Sequence, residues 1–164
     1  MTEMSNIDTR TLLWDVTEFL WHEADLLDRK EYNAWLDLWL EDGTYILPIG
    51  EGPDYENQLN LCYDDDKMRR MRVDRFNRGF SISSAPAADT VRTVSRIVIE
   101  SAQGDIIKIR AAEQLVEDKF GRQRIWAANL FYTLKQTEDG FKLDRKVAKL
   151  LNSDGMLNSF SYLF

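Results

Sequence analysis

The chain has 164 residues, of which 44% are hydrophobic and five are Trp, so it is long enough for one domain with its own core and is too apolar for a disordered protein. Its net charge of −7 argues against general nucleic-acid binding, and the sequence contains no run of about 20 apolar residues of the kind that crosses a membrane. Residues 1–11 do not resemble a signal peptide, and a lone cysteine cannot form an internal disulfide, so we expect a cytoplasmic protein.

The first part of the chain, about residues 8–42, has the spacing of helices. Apolar residues recur at intervals of three and four after Asp8, a residue type that commonly caps a helix, and only Glu23 interrupts this stripe. A second, shorter helix is predicted from Tyr32, through Trp39, to a terminating glycine at Gly43.

The following part, about residues 43–155, is predicted to be a sheet with an inserted helix at about 64–78. Acidic residues come first in that helix and basic residues follow, as the helix dipole favours. Alternating apolar residues and glycine-containing turns predict a loop at 81–90 and strands at 44–49, 91–101, 106–118, 122–136 and 141–151.

The fold class that follows is α+β in a single domain spanning residues 1–164. Long strands usually twist and carry bulges, so we expect N-terminal helices packed in a strongly curved, mostly antiparallel sheet that leaves a conical pocket. The aromatic tail at 156–164 must be buried somewhere.

The inventory of metal ligands is small, because His22 and Cys62 are the only histidine and the only cysteine. A Rieske [2Fe–2S] cluster needs two of each residue type, a facial-triad iron needs two histidines, and zinc sites usually draw several ligands from the same two types. If the protein takes part in metal or redox chemistry, another subunit must carry the metal.

Four segments, in chain order, carry a family resemblance. They are residues 19–28 leading through 32–36 to 41–48; the acidic run 64–66 with Arg72-Val73-Asp74-Arg75; residues 90–95; and Arg145-Lys146-Val147 with the tail residues 157–160. Together they resemble the small (β) subunit of bacterial aromatic-ring-hydroxylating dioxygenases, the Rieske non-haem iron oxygenases.

This resemblance implies a cone-shaped fold shared with nuclear transport factor 2, also described as cystatin-like. It also implies a structural subunit without catalytic residues, which supports a large (α) subunit in aromatic-compound catabolism. That large subunit would hold the Rieske cluster and a mononuclear iron. The implied assembly has three large and three small subunits, with the small subunits associating as a trimer.

The candidate interface residues are mostly charged. Arginine is well suited to interface ion pairs, and the acidic run is interpreted as a helix start with some intersubunit pairs rather than as a cation site. One of the helix residues Trp14 and Trp21 also fits an interface. The full hypothesis comprises Asp64, Asp65, Arg70, Arg72, Arg75, Arg92, Arg96 and Phe160.

The alternative function is a stand-alone cyclase, dehydratase or isomerase that uses its own conical pocket. It would require an acid–base pair in apolar surroundings. The candidates are His22 with Glu23 or Asp25, or a tyrosine such as Tyr45 or Tyr132 with a carboxylate. His22 is otherwise expected on the helix surface or at an interface.

Overall fold

The computed structural model describes residues 6–82, 88–151 and 163–164, with side chains described for 9–78, 88–151 and 163–164. The described residues form three α-helices and six strands. They are α1 (Asn6–Asp28), α2 (Tyr32–Leu36), β1 (Trp39–Pro48), β2 (Asn60–Asp64), α3 (Asp66–Ile82), β3 (Asp89–Gln103), β4 (Ile106–Lys119), β5 (Arg122–Thr137) and β6 (Gly140–Leu150), with a short 3₁₀ turn at Tyr55–Asn57.

The six strands form one sheet in the order β2-β1-β6-β5-β4-β3. Strands β3 to β6 are an antiparallel meander, β1 runs parallel to β6, and β2 pairs antiparallel with β1. The predicted hairpin turns are present, with positive φ at Gly104, Gly121 and Gly140, where a residue without Cβ is favoured.

The core lies between α1 and the concave face of the sheet. Val16, Leu20 and Leu27 of α1 are buried, as their spacing predicts. Alternate residues of the central strands meet them, including Ile109 of β4 and Leu130 of β5. No helix among residues 6–82 is long and apolar enough to cross a lipid bilayer.

Helix α1 also covers the edge strand β3. The Trp21 indole Nε1–H donates to the carbonyl oxygen of Val94 at 3.0 Å, and the Asp28 carboxylate accepts from the backbone N–H of Arg92 at 2.9 Å. These side chains satisfy main-chain groups that an uncovered edge would present to other chains.

The predicted second helix is wrong beyond Leu36. Trp39 begins β1, and Gly43 lies inside that strand, beside a shift in register between Trp39 and Thr44. Tyr32 and Trp35 do lie in α2, but the helical spacing of Trp39 from them is coincidental. Trp39 instead packs edge-to-face on Trp35 and Tyr45.

The inserted helix begins later and ends later than predicted. Asp64 is the last residue of β2, a strand that the sequence analysis did not predict, and α3 extends to Ile82. Asp65 caps α3, its Oδ1 accepting from the Met68 N–H at 2.9 Å. The rest of the predicted loop, residues 83–87, lies outside the described residues.

A buried arginine docks α3 onto β1. The Arg69 side chain stacks 4.3 Å from the centre of the Trp39 ring and donates to the main-chain oxygens of Leu40 and Gly43. The register shift in β1 therefore presents carbonyl groups to an arginine that would otherwise be buried without acceptors.

We predict that Gly43→Ala destabilises the fold by about 1–3 kcal/mol, as overpacking of a core does. An added Cβ would lie 2.7 Å from Cε3 of Trp39 and 2.9 Å from the carbonyl oxygen of Leu143. Urea denaturation measures the loss. Gly52→Ala is the matched control, because its Cβ would meet only the flexible Gln58 side chain, and an equal loss in both variants would contradict the prediction.

Candidate functional site

A buried carboxylate, Glu23 of α1, lies at the centre of the concave interior and is 1% exposed. It accepts hydrogen bonds from the Trp35 indole Nε1 at 3.0 Å, from the Tyr132 hydroxyl at 2.8 Å and from the Lys146 ammonium Nζ at 3.0 Å. Three donors, one of them cationic, compensate for the loss of hydration of this carboxylate.

Helical spacing places Glu23 in the interior, and the alternation of strand residues places Tyr132 and Lys146 there. Glu23 interrupts the apolar stripe of α1 and is carried into the core by that stripe. Tyr132 and Lys146 are directly opposite each other in the β5–β6 register, so their side chains leave the same face of the sheet.

A second ionic group lies beside the first. Arg92 of β3 donates to Asp28 of α1 at 2.6 Å and lies 3.4 Å from a carboxylate oxygen of Glu113 of β4. Burial raises the pKa of Glu113, with nearby Glu23 and Asp28 contributing in the same direction, while Lys146 and Arg92 act against the rise.

The interior is filled by the chain's own last residues. Leu163 and Phe164 are 2% and 0% exposed, so the prediction that the aromatic tail is buried is confirmed for these two residues. The Phe164 N–H donates to the Tyr45 hydroxyl at 2.9 Å, and its main-chain oxygen accepts from Lys146 Nζ at 2.5 Å. Arg92 donates to the Leu163 oxygen.

Both interior tyrosines are held neutral. Burial is the largest cause that raises the pKa of Tyr45 and Tyr132, and for Tyr132 the neighbouring Glu23 carboxylate adds to it. The two phenols therefore act as hydrogen-bond donors and acceptors rather than as bases.

His22 lies outside this interior. Its side chain is exposed on α1 and lines a surface groove of about 520 Å³ with residues such as Glu18, Phe141 and Lys142. The predicted pairing of His22 with buried Glu23 is not formed, because adjacent residues of α1 face solvent and core. The predicted tyrosine–carboxylate pair is present as Tyr132 with Glu23, but Leu163 and Phe164 occupy the space beside it.

The interface candidates fall into two groups. Asp64 is fully buried and pairs with Arg72 at 2.6 Å, and Arg92 is 8% exposed, so these charges are used within the chain. Arg70 is exposed and pairs with Asp66 on the same helix.

Three of the remaining candidates are exposed, and the fourth is not described. Asp65, which caps α3, and Arg75, which lies within it, are exposed. Arg96 is exposed and donates to Asn129 at 2.9 Å. Phe160 lies outside the described residues.

The donor set does not fit a resident metal cluster. His22 is exposed on α1, whereas Cys62 is buried on β2, where burial raises its thiol pKa. Within the part of the chain that the structure describes, no three His, Cys, Asp or Glu side chains are grouped to hold a metal ion.

Sequence reasoning missed the interior role of Arg92 and Lys146. Lys146 occurs in alternation with apolar Ala148 and Leu150, so its position on the inner face of β6 could have been noticed. Nothing in the sequence pattern identified Phe164 as its partner.

Known proteins are similar to this chain over most of its length. A family model described as "Ring hydroxylating beta subunit" matches residues 22–154. The small subunit of anthranilate 1,2-dioxygenase from Acinetobacter baylyi is 24% identical over 148 residues, covering 84% of this chain and 88% of that protein. The small oxygenase component of the p-cumate 2,3-dioxygenase system from Pseudomonas putida is 27% identical over 135 residues, covering 80% and 75%.

Solved structures confirm the predicted fold class. The beta subunit of benzoate 1,2-dioxygenase from Burkholderia mallei aligns with a TM-score of 0.76 at 23% identity, covering 90% of this chain and 95% of that one. An NTF2-like protein with a cystatin-like fold from Novosphingobium aromaticivorans aligns with a TM-score of 0.62 at 17% identity, covering 98% and 99%.

We predict that Lys146→Met destabilises the chain by about 3–5 kcal/mol, because Glu23 would remain buried without its cation. The double variant Glu23→Gln with Lys146→Met should recover much of this loss, since the residue at position 23 then carries no charge. Chemical denaturation provides the measurement. Lys135→Met is the control, because its pair with Asp105 at 3.9 Å is exposed; a double variant no more stable than the single one would refute the pairing.

We predict that Glu113→Gln makes the chain more stable at neutral pH and less sensitive to pH. The folded state binds the Glu113 proton more tightly than the unfolded state, so this group's stabilising contribution is present at low pH and is lost as pH rises through the folded pKa. Glutamine keeps an acceptor for Arg92 without the charge. Thermal unfolding of both proteins over a pH series tests the prediction, and parallel curves would contradict it.

Proposed function

The chain belongs to the family of ring-hydroxylating beta subunits, and we propose that it is the non-catalytic structural subunit of an aromatic-ring-hydroxylating dioxygenase. The enzyme as a whole is an oxidoreductase of aromatic-compound catabolism. In it, a large subunit provides the catalytic centre and this chain supports the assembly of the large subunits in the cytoplasm.

The observation that carries the non-catalytic role is the occupied interior. In an open pocket, Glu23, Tyr132 and Lys146 would be able to transfer protons, but here they bind one another and the main chain of Phe164. A substrate would have to displace part of the hydrophobic core to reach them.

The residue inventory supports the placement of the cofactors. One histidine and one cysteine are too few for either the Rieske cluster or the mononuclear iron. We therefore assign both to the large subunit. We further propose three large and three small subunits, with the small subunits associated as a trimer.

The outer face of α3 is our candidate contact with the large subunit. Met68 and Met71 are 46% and 55% exposed there, and Arg75 is exposed beside them. Flexible methionines adapt to a partner surface, and arginine pairs with its carboxylates. Trp14, 55% exposed and packed edge-to-face on Trp21, is a second candidate contact.

Co-expression with the large subunit, followed by pulldown on a tag on this chain, tests the proposal. We expect a red-brown complex with an iron–sulfur absorption spectrum, and native mass spectrometry should give equal numbers of the two subunits. Iron bound in stoichiometric amount to this chain alone would overturn the proposal, as would a colourless preparation that recovers no partner.

We predict that Arg75→Glu weakens binding of the large subunit at least about tenfold, equivalent to about 1.4 kcal/mol, without lowering the melting temperature of the isolated chain. The substitution reverses an exposed charge on the proposed contact face. Arg122→Glu makes the same charge change at the exposed start of β5 and should bind normally. Equal weakening by both variants would show a general charge effect instead of a contact on α3.

A further inference from the structure

The way the interior holds Phe164 is that of a binding site rather than of simple core packing. Three strands that are distant in the sequence each send a polar side chain to two consecutive residues: Tyr45 from β1, Lys146 from β6 and Arg92 from β3. Together they bind the Phe164 N–H and the main-chain oxygens of Leu163 and Phe164.

The aromatic ring of Phe164 fills the apolar part of this interior. The residue is fully buried and belongs to the hydrophobic cluster that includes Trp35, Tyr45 and Tyr132. The interior thus combines an apolar space for one ring with hydrogen-bonding groups for an oxygen beside that ring, the usual composition of a small-molecule site.

The site also has polar capacity that the chain does not use. Glu113 Oε2 is buried and has no hydrogen-bond partner among the described residues, and Arg92 Nε lies 3.4 Å from Glu113 Oε1 as an ion pair without a hydrogen bond. Buried polar atoms are normally paired, and these two belong to the cluster that binds Leu163.

We propose that the interior is a binding site for a small aromatic molecule that carries a carbonyl or carboxylate oxygen, and that Leu163 and Phe164 occupy it as an internal ligand. The ring of the ligand takes the space of the Phe164 ring. Its oxygen accepts from Lys146 Nζ and the Tyr45 hydroxyl, as the Phe164 oxygen does at 2.5 and 3.4 Å. This inference does not depend on the proposed assembly with a large subunit.

The test is chemical rescue of the full chain carrying Phe164→Ala, which removes the ring that anchors the internal ligand, so that a probe can displace the main chain of residues 163–164 from Tyr45 and Lys146. Three probes of similar size are compared: 3-phenylpropanamide, 3-phenylpropanoate and propylbenzene, which lacks the oxygen. We expect the amide, the carboxylate or both to raise the melting temperature of the variant and to bind at least about tenfold more tightly than propylbenzene. The unmodified chain should bind the same probes more weakly, because Leu163 and Phe164 compete with them for the site. A preference between the amide and the carboxylate identifies the ligand as neutral or anionic.

A matched control separates the polar contacts from the cavity. Adding Tyr45→Phe to Phe164→Ala removes a hydroxyl whose hydrogen bonds go to Phe164 and leaves the apolar space in place. We expect this double variant to lose most of its preference for the oxygen-bearing probes while still binding propylbenzene.

Two outcomes would overturn the proposal. One is equal binding of all three probes, which shows an apolar cavity only, and the other is no binding of any probe. If Phe164→Ala does not fold, the same titrations are made on Phe164→Leu, which retains more of the apolar filling; an absence of probe binding there overturns the proposal equally.

Discussion

A buried carboxylate must find its hydrogen-bond donors inside the protein, and the position of almost every element here depends on how Glu23 finds them. Trp35 belongs to α2, Tyr132 to β5 and Lys146 to β6, so one side chain of α1 is bound to three other elements. Removing any donor would leave an acceptor or a charge unsatisfied in the core. Because the cost of a misplaced donor is high, the cluster admits only one rotation and one axial position of α1 against the sheet.

The second ionic group acts in the same way at the C-terminal residue of α1. Asp28 accepts from both the Arg92 side chain and its backbone N–H, so the end of the helix is fixed to the edge strand β3. Buried ion pairs contribute little net stability compared with apolar packing, and their main effect is to disfavour alternative arrangements. The apolar stripe of α1 drives burial, while Glu23 and Asp28 determine the orientation in which burial occurs.

The sequence predicted most where local patterns are strong. Strands β3 to β6 were placed within a few residues, because alternation and the turn glycines agree there. Trp39 was misassigned because it fits a helical spacing, while the partners that make it a strand residue, such as Tyr45 and Arg69, depend on the tertiary structure. Asp64 and Arg92 were candidates for a subunit interface, but both are buried within the chain, and their buried partners were not visible from spacing alone.

The interior contacts also fix the positions of the candidate contact residues on the surface. A subunit that supports others must present its contact residues in a fixed geometry, and here the exposed Trp14 is on the same helix as Glu23 and Asp28. The exposed face of α3 is fixed in turn by Arg69, which binds the main chain of β1, the strand that also provides Tyr45 to Phe164. Any change that loosens the interior should therefore move both candidate contact surfaces. A filled interior thus suits a subunit whose role is structural, because α1 and β1 connect it to the candidate contact residues.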